Sequence, residues 1–299
     1  MVTARNALAS RAIPFMALSD GSSSSKTAPP APIPSGLSPE QRAQLRFAVT
    51  GNAIVTGGAG VLGLAASRAL LEQGLTGLAL FDFNADILES VVTALQTEFP
   101  KSKIIGRVLD IVDDVAVTAA VEEASCALGN INTLLCFAGV VGCINALEMS
   151  ATQWRRTLDI NTTGSFLCAQ AAAKQMVASG TGGSIVLTSS ISGHRVNYPQ
   201  PQAAYNVSKA GVLAMKNCLA AEWARYGIRV NSVSPGYMDT ILNEGEGLRE
   251  ARETWAARNP MGRMGTPAEL TGAVVLLASA AGTYINGADI VCDGGAIVF

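Results

Sequence analysis

The sequence predicts a doubly wound α/β domain, a single Rossmann-type parallel sheet of about seven strands with helices on both faces. Three observations point there. From residue 50 onward, short β-rich runs alternate with longer segments of helical spacing. The short runs are apolar almost throughout, as in parallel strands covered on both sides. The first of them ends in "IVTGGAGVLG", residues 54–63, a glycine-rich turn of the kind that brings backbone close to a diphosphate at a helix N-terminus.

Residues 1–49 read as an N-terminal tail outside the domain of 50–299. The stretch "DGSSSSKTAPPAPIPSGLSPE" is rich in Ser and Pro and has almost nothing to bury, so a disordered linker is expected. Before it, "MVTARNALASRAIPFMALS" carries Arg5 and Arg11 and no acid, which fits either an ordinary tail or an organelle transit peptide.

Each later element has its own reason. "NAIVTG" at 52–57 is the first strand, and a helix over 61–73 follows its turn. "GLALFD" at 77–82 ends in Asp82, nineteen residues after Gly63, placed to accept bonds from both hydroxyls of an adenosine ribose or to cap the helix over 84–99. "KIIGRVLD" ends in Asp110, which faces an adenine or caps the helix over 113–128. "TLLCFAG" and "GSIVLTSS" bracket a long helical segment, 151–179, and a second such segment spans 204–226. "IRVNSVSPG" and "ADIVCDGG" supply the last strands. Between them, 239–260 reads as a mobile lid whose second half is helix-forming.

Composition excludes several functions. The net charge is −2 without a basic stripe, which argues against a nucleic-acid partner. No apolar run is long and clean enough to span a bilayer. Six scattered cysteines without a Cys-x-x-Cys pair, and the single His194, leave little for a metal site and fit a reducing compartment. The expected location is the cytoplasm, with mitochondrial import as the alternative.

Chemistry concentrates in "TSSISGHRVNYPQPQAAYNVSK", residues 188–209. Tyr205 and Lys209 lie one helical turn apart, just beyond a strand end that carries two serines. An ammonium beside a phenol favours phenolate, so Lys209 is expected to lower the Tyr205 pKa toward the working range. A tyrosine so tuned passes a proton to or from a substrate oxygen while hydride moves to or from a nicotinamide.

At this point residues 50–299 resemble the short-chain dehydrogenase/reductase family. The matching motifs are "TGGAGVLG", "LD" at 109–110, "AG" at 138–139, "NTTG" at 161–164, "SS" at 189–190, "YNVSK", "NSVSPGYMDT" at 231–240 and the late "DGG". The resemblance implies four catalytic residues. Tyr205 would be the general acid/base, and Lys209 would tune it and hold the nicotinamide ribose. Ser190 would steady the substrate oxygen, with Ser192 as the alternative. Asn161 would hold a water in the proton path from Lys209 to solvent. Implied cofactor contacts are Thr56, Gly57, Gly60, Leu62, Gly63, Asp82, Asp110, Ile111, Ala138, Gly139, Tyr205, Lys209, Pro235, Gly236, Met238 and Thr240. The cofactor is expected to be NAD, because a carboxylate at Asp82 repels the 2′-phosphate of NADP. NADP stays open.

Two departures from the family pattern stand out. Val61 occupies a usual glycine position, so Gly60 is expected to supply the flexible turn while Val61 begins the helix. Cys136 and Phe137 replace a usual Asn-Asn pair, so that wall must be braced differently.

The expected reaction is interconversion of a secondary alcohol and a ketone. The polar loop "GHRVNYPQPQ", 193–202, suits a polyol or ketose resembling the sugar-alcohol branch, or another small hydroxy-ketone, with Ser190, His194, Gln202 and Tyr205 as substrate contacts. Its other reading is a solvated loop. The alternatives are a ketoreductase of specialised metabolism and a non-catalytic cofactor-binding regulator. The resemblance also implies a homotetramer, built through the helices near 152–179 and 204–226 and the last strand.

Overall fold

The β-rich runs form one sheet. Strands β1 (Asn52–Thr56), β2 (Gly77–Asp82), β3 (Lys103–Val108), β4 (Ile131–Cys136), β5 (Gly183–Thr188), β6 (Ile228–Pro235) and β7 (Asp289–Cys292) pair in the order β3-β2-β1-β4-β5-β6-β7. Every pairing is parallel. The computed structural model describes residues 12–240, 243 and 245–298. The basic stretch with Arg5 and Arg11, and lid positions 241, 242 and 244, lie outside the described residues.

The helices are α1 (Pro39–Phe47), α2 (Val61–Glu72), α3 (Ala85–Glu98), α4 (Asp114–Leu128), α5 (Ala151–Leu158), α6 (Ser165–Ser179), α7 (Ala203–Trp223), α8 (Arg249–Ala257) and α9 (Ala268–Ala278). Alternation along the strands sends neighbouring side chains to opposite faces. Ile54, Phe81, Leu134 and Leu187 pack with α4, α6 and α7. Val55, Leu80, Leu135 and Val186 pack with α2, α3 and α9. These eight side chains are at most 1% exposed, and each buried aliphatic of this size contributes about 2 kcal/mol. The strand order reverses between β1 and β4, which opens a crevice beyond their carboxyl ends.

Several expectations change in detail. The segment 151–179 is not one α-helix, because a π-helical stretch, Asp159–Gly164, divides α5 from α6. Such an inserted turn re-aims side chains and recurs at functional sites; here it turns Asn161 inward, where it is fully buried. The range read as linker contains α1, whose N-terminus is fixed by a capping box between Ser38 and Gln41. Farther out, Lys26 Nζ donates to the Gly180 carbonyl at the end of α6, 2.6 Å away.

The caps of α3 and α4 are Asn84 and Asp113, through bonds to Ile87 N and Ala116 N. Asp82 and Asp110 therefore do not serve as those caps. Helix α9 carries apolar residues around much of its circumference, so no amphipathic stripe announces it.

Candidate active site

The glycine loop sits at the switch point. Gly57 adopts φ +64°, the left-handed conformation that glycine takes at no steric cost. A Cβ there would lie 2.6 Å from Ala138 N, so the loop also presses directly on the end of β4. Gly60 has φ −73° and is not the flexible position. That role falls to Gly57, and Val61 opens α2 in ordinary helical geometry. Gly60 caps α2 without a side-chain bond, which leaves the first amides of the helix free for an anion.

A cleft of about 930 Å³ extends from this loop. Of the expected cofactor contacts, Gly57, Gly60, Leu62, Gly63, Asp82, Asp110, Ile111, Ala138, Gly139 and Thr240 line it. Thr56 stands just behind, its hydroxyl 3.4 Å from Ala138 N. Phe137 also lines the cleft and packs against the apolar layer around α2, so an aromatic wall replaces the missing amide. Pro235 ends β6, a Cβ on Gly236 would meet Asp293 Cα at 2.8 Å, and Met238 bridges to Gly265. Arg155 and Arg156, on α5, line the same cleft and were not singled out from the sequence. Their signal was only a pair of charges on a helix, which usually marks a solvated face.

The four expected catalytic residues converge beside Gly139. A Cβ on Gly139 would lie 3.1 Å from Asn161 Oδ1 and 3.7 Å from Lys209 Nζ, so the β4 loop runs in close contact with both side chains. Asn161 clamps that loop: Oδ1 accepts from Val140 N at 2.8 Å and Nδ2 donates to Val140 O at 2.9 Å. Nδ2 also meets Ser208 Oγ, and the Asn161 carbonyl accepts from Ser165 Oγ. Lys209 Nζ donates to Thr188 O at 2.8 Å, and stands 5.6 Å from the Tyr205 ring centre.

The serines divide their work. Ser189 Oγ donates to the Lys209 carbonyl at 2.8 Å and ties β5 to α7. Ser190 Oγ donates to Ser192 Oγ at 3.1 Å and accepts from Ser192 N.

Burial, rather than the ammonium, governs the protonation of the pair. It pushes the Tyr205 phenol up to about 12, against a smaller lowering by the Ser190 hydroxyl; Tyr237 adds a smaller raising effect. It also pushes Lys209 down to about 8, with Cys136 opposing. The expectation that Lys209 lowers the Tyr205 pKa is corrected accordingly. Loss of water disfavours both charged forms.

The substrate loop is only partly as expected. Gln202 is buried at the start of α7, with Nε2 donating to Cys143 Sγ at 3.3 Å. His194 turns away toward β7, where Nε2 lies 2.9 Å from Asp289 Oδ2 and 3.2 Å from Ser234 Oγ. A polar cluster not foreseen from the sequence joins Asn197 and Gln200 to Tyr237 and to Trp255 of α8. Its members lie far apart in sequence, so no local motif announces it.

No group of three or more His, Cys, Asp or Glu side chains suited to a metal occurs among the described residues. No helix among them is long and apolar enough to cross a membrane.

The family model described as enoyl-(acyl carrier protein) reductase matches residues 57–296. The chain is 38% identical over 257 residues to a ribulose-forming D-arabinitol 2-dehydrogenase of Scheffersomyces stipitis, covering 81% of this chain and 92% of that protein. It is 35% identical over 244 residues to an NADP-dependent mannitol dehydrogenase of Hypocrea jecorina, covering 81% and 90%. The solved structure of a short-chain type dehydrogenase/reductase from Mycobacterium marinum superposes with a TM-score of 0.81 at 38% identity, over 85% of this chain and 98% of that one.

Proposed function

The chain belongs to the short-chain dehydrogenase/reductase family, as an oxidoreductase interconverting secondary alcohol and ketone, and on that premise we propose that its substrate is an acyclic polyol or the matching ketose and its cofactor NAD. The observation that carries this reading is the convergence of Asn161, Ser190, Tyr205 and Lys209 beside Gly139, which lines the cleft.

The cleft fits a dinucleotide. It is long, it begins at uncapped helix amides, and its floor is held open by glycines whose Cβ atoms would strike backbone. Residues 56–63 would hold the diphosphate, Asp82 the adenosine ribose, and Lys209 the nicotinamide ribose. When bound, the nicotinamide supplies or accepts the hydride. Tyr205 gives its phenolic proton to the ketone oxygen in reduction, and takes the alcohol proton in oxidation. The Ser190 hydroxyl, turned from Ser192 Oγ, donates to the same oxygen as charge develops there. Lys209, fixed on Thr188 O, relays the proton away from the buried phenol. Asn161 holds the Val140 loop in place beside this relay.

Supports for the finer claims are separate. The NAD preference rests on the carboxylate of Asp82 and on Ala59, Gly60, Phe83 and Asn84, none of them basic. A polyol substrate is supported by the two sugar-alcohol dehydrogenases to which the chain is similar and by the amide-rich loop 193–202. We also propose a cytoplasmic homotetramer with a dispensable N-terminal tail. The six cysteines are all unpaired, which suits a reducing compartment; sedimentation giving a stable monomer at assay concentration would remove the tetramer.

The deciding experiment is spectrophotometric. Nicotinamide absorbance is followed with a panel of pentitols, hexitols and their ketoses. Turnover of at least one polyol–ketose couple is expected, and its absence across the panel would overturn the substrate class.

A further inference from the structure

We propose that Tyr237 is a specificity-determining residue, donating its phenolic proton to a hydroxyl on the carbon next to the reacting one. The assignment rests on the substrate class proposed above and identifies how that class is read.

Asn206 Nδ2 faces the backbone carbonyls of Ser192 and Arg195, both at 2.8 Å, which fixes it as the nitrogen. The same atom faces Asn197 Oδ1 at 3.0 Å, so the other end of the Asn197 amide is its nitrogen, and that donates to the Tyr237 hydroxyl at 2.8 Å. On the other side, the indole N–H of Trp255 can only donate, and it meets Gln200 Oε1 at 3.1 Å. Gln200 Nε2 is thereby fixed as a second donor to the Tyr237 hydroxyl, at 3.1 Å.

The Tyr237 oxygen therefore receives two N–H groups, and its own proton has no acceptor among the described residues. The ring cannot turn aside to find one. It stacks on Trp255 with centres 4.1 Å apart and planes 5° from parallel. Tyr237 directly follows Pro235 and Gly236 at the carboxyl end of β6, and its hydroxyl is joined through Asn197 to Asn206, the neighbour of Tyr205 on α7, which places it beside the element that carries the general acid/base.

An oriented donor with no acceptor among the described residues selects for ligands that bring an oxygen to it. A site built to bond a substrate hydroxyl rejects the analogue lacking that hydroxyl far more strongly than an apolar pocket rejects a missing methylene. A polyol or ketose carries a hydroxyl on the carbon beside the one that reacts. A simple secondary alcohol does not. The stacked Trp255 lies on α8, so the donor is held between the end of β6 and this helix.

The test is a cycle of two substrates and two proteins. kcat/KM is measured for 2,3-butanediol and 2-butanol with the unaltered protein and with Tyr237→Phe, which keeps the ring and its stack. The unaltered protein should prefer the diol by at least about tenfold. In Tyr237→Phe that ratio should fall to within about threefold of unity, whatever happens to the two rates separately. General disorder of the loop lowers both rates and cancels in the ratio. A diol preference that survives in Tyr237→Phe, or one absent from the unaltered protein, overturns the assignment. If neither alcohol nor any polyol is oxidised by the unaltered protein, the substrate reading itself falls, and this assignment with it.

Discussion

The carboxylate of Asp82 accepts a hydrogen bond from the Ala59 backbone N–H at 3.0 Å, so the end of β2 is tied directly to the glycine loop. Its second oxygen accepts from Asn84 N, also at 3.0 Å. A charged group held this way by two backbone donors is fixed in place before any ribose arrives.

That fixed charge predicts a cofactor preference. NAD should exceed NADP in kcat/KM by more than about tenfold, since a phosphate beside a carboxylate repels it. Replacing Asp82 with Ser and Phe83 with Arg should move the preference toward NADP. Arg155 and Arg156 supply the competing outcome, because they line the same cleft. A clear NADP advantage in the unaltered protein would show that an arginine, rather than Asp82, decides the matter.

Tyr205→Phe should remove nearly all turnover, at least about a hundredfold for a lost general acid/base. Cofactor affinity should stay within a few-fold, because only the phenolic oxygen is deleted. Fluorescence titration with the cofactor, run beside the activity assay, separates the two effects. Substantial residual turnover would place the proton transfer elsewhere.

Much of this site was legible because chemistry and topology coincide along the chain. Tyr205 and Lys209 are one turn apart on α7, and Asp82 ends a strand whose continuous apolar run and length are plain. What escaped notice was assembled from distant pieces. Tyr237, Trp255, Asn197 and Gln200 meet only through tertiary packing. The π turn at Asp159–Gly164 left no mark in the apolar spacing. The pKa of Tyr205 was misjudged for a related reason: spacing shows that an ammonium is near, but not how much water burial removes.

The N-terminal segment makes its own prediction. Deleting residues 1–45 should leave kcat/KM within about twofold, because α1 buries none of its residues and the cut stops short of the buried Val49. The Lys26 bond to Gly180 O is lost, and a single exposed contact of this kind is worth about 1 kcal/mol or less. A loss of activity that follows the deletion would give the tail a part in the fold.

Gly63 should tolerate no side chain. A Cβ at this position would lie 2.3 Å from Gly57 O, inside the glycine loop itself. Gly63→Ala should therefore push the loop away from α2 and weaken cofactor binding by at least about tenfold, with melting temperature read alongside to separate loop displacement from unfolding. Unchanged cofactor affinity would mean that the diphosphate is held elsewhere.

The final prediction concerns Lys209 and alkaline stability. In the folded protein its ammonium gives up its proton near pH 8, whereas the ordinary lysine value is 10.5. Between those values the unfolded chain binds more protons than the folded one, so this group's contribution to stability rises with pH. Below pH 8 the fold bears the full cost of a buried ammonium, on the order of 3 kcal/mol, and by pH 10.5 that cost has gone. Tyr205 and Cys168, both pushed up to about 12, act in the opposite direction above pH 9 or 10, so the unaltered protein alone does not isolate the effect. Lys209→Met does. Denaturant unfolding of both proteins at several pH values should show the Met variant losing ground to the unaltered protein as pH rises from 8 to 10.5. A stability difference that is flat across this range would mean that Lys209 keeps its proton in the fold, held by a compensation stronger than burial.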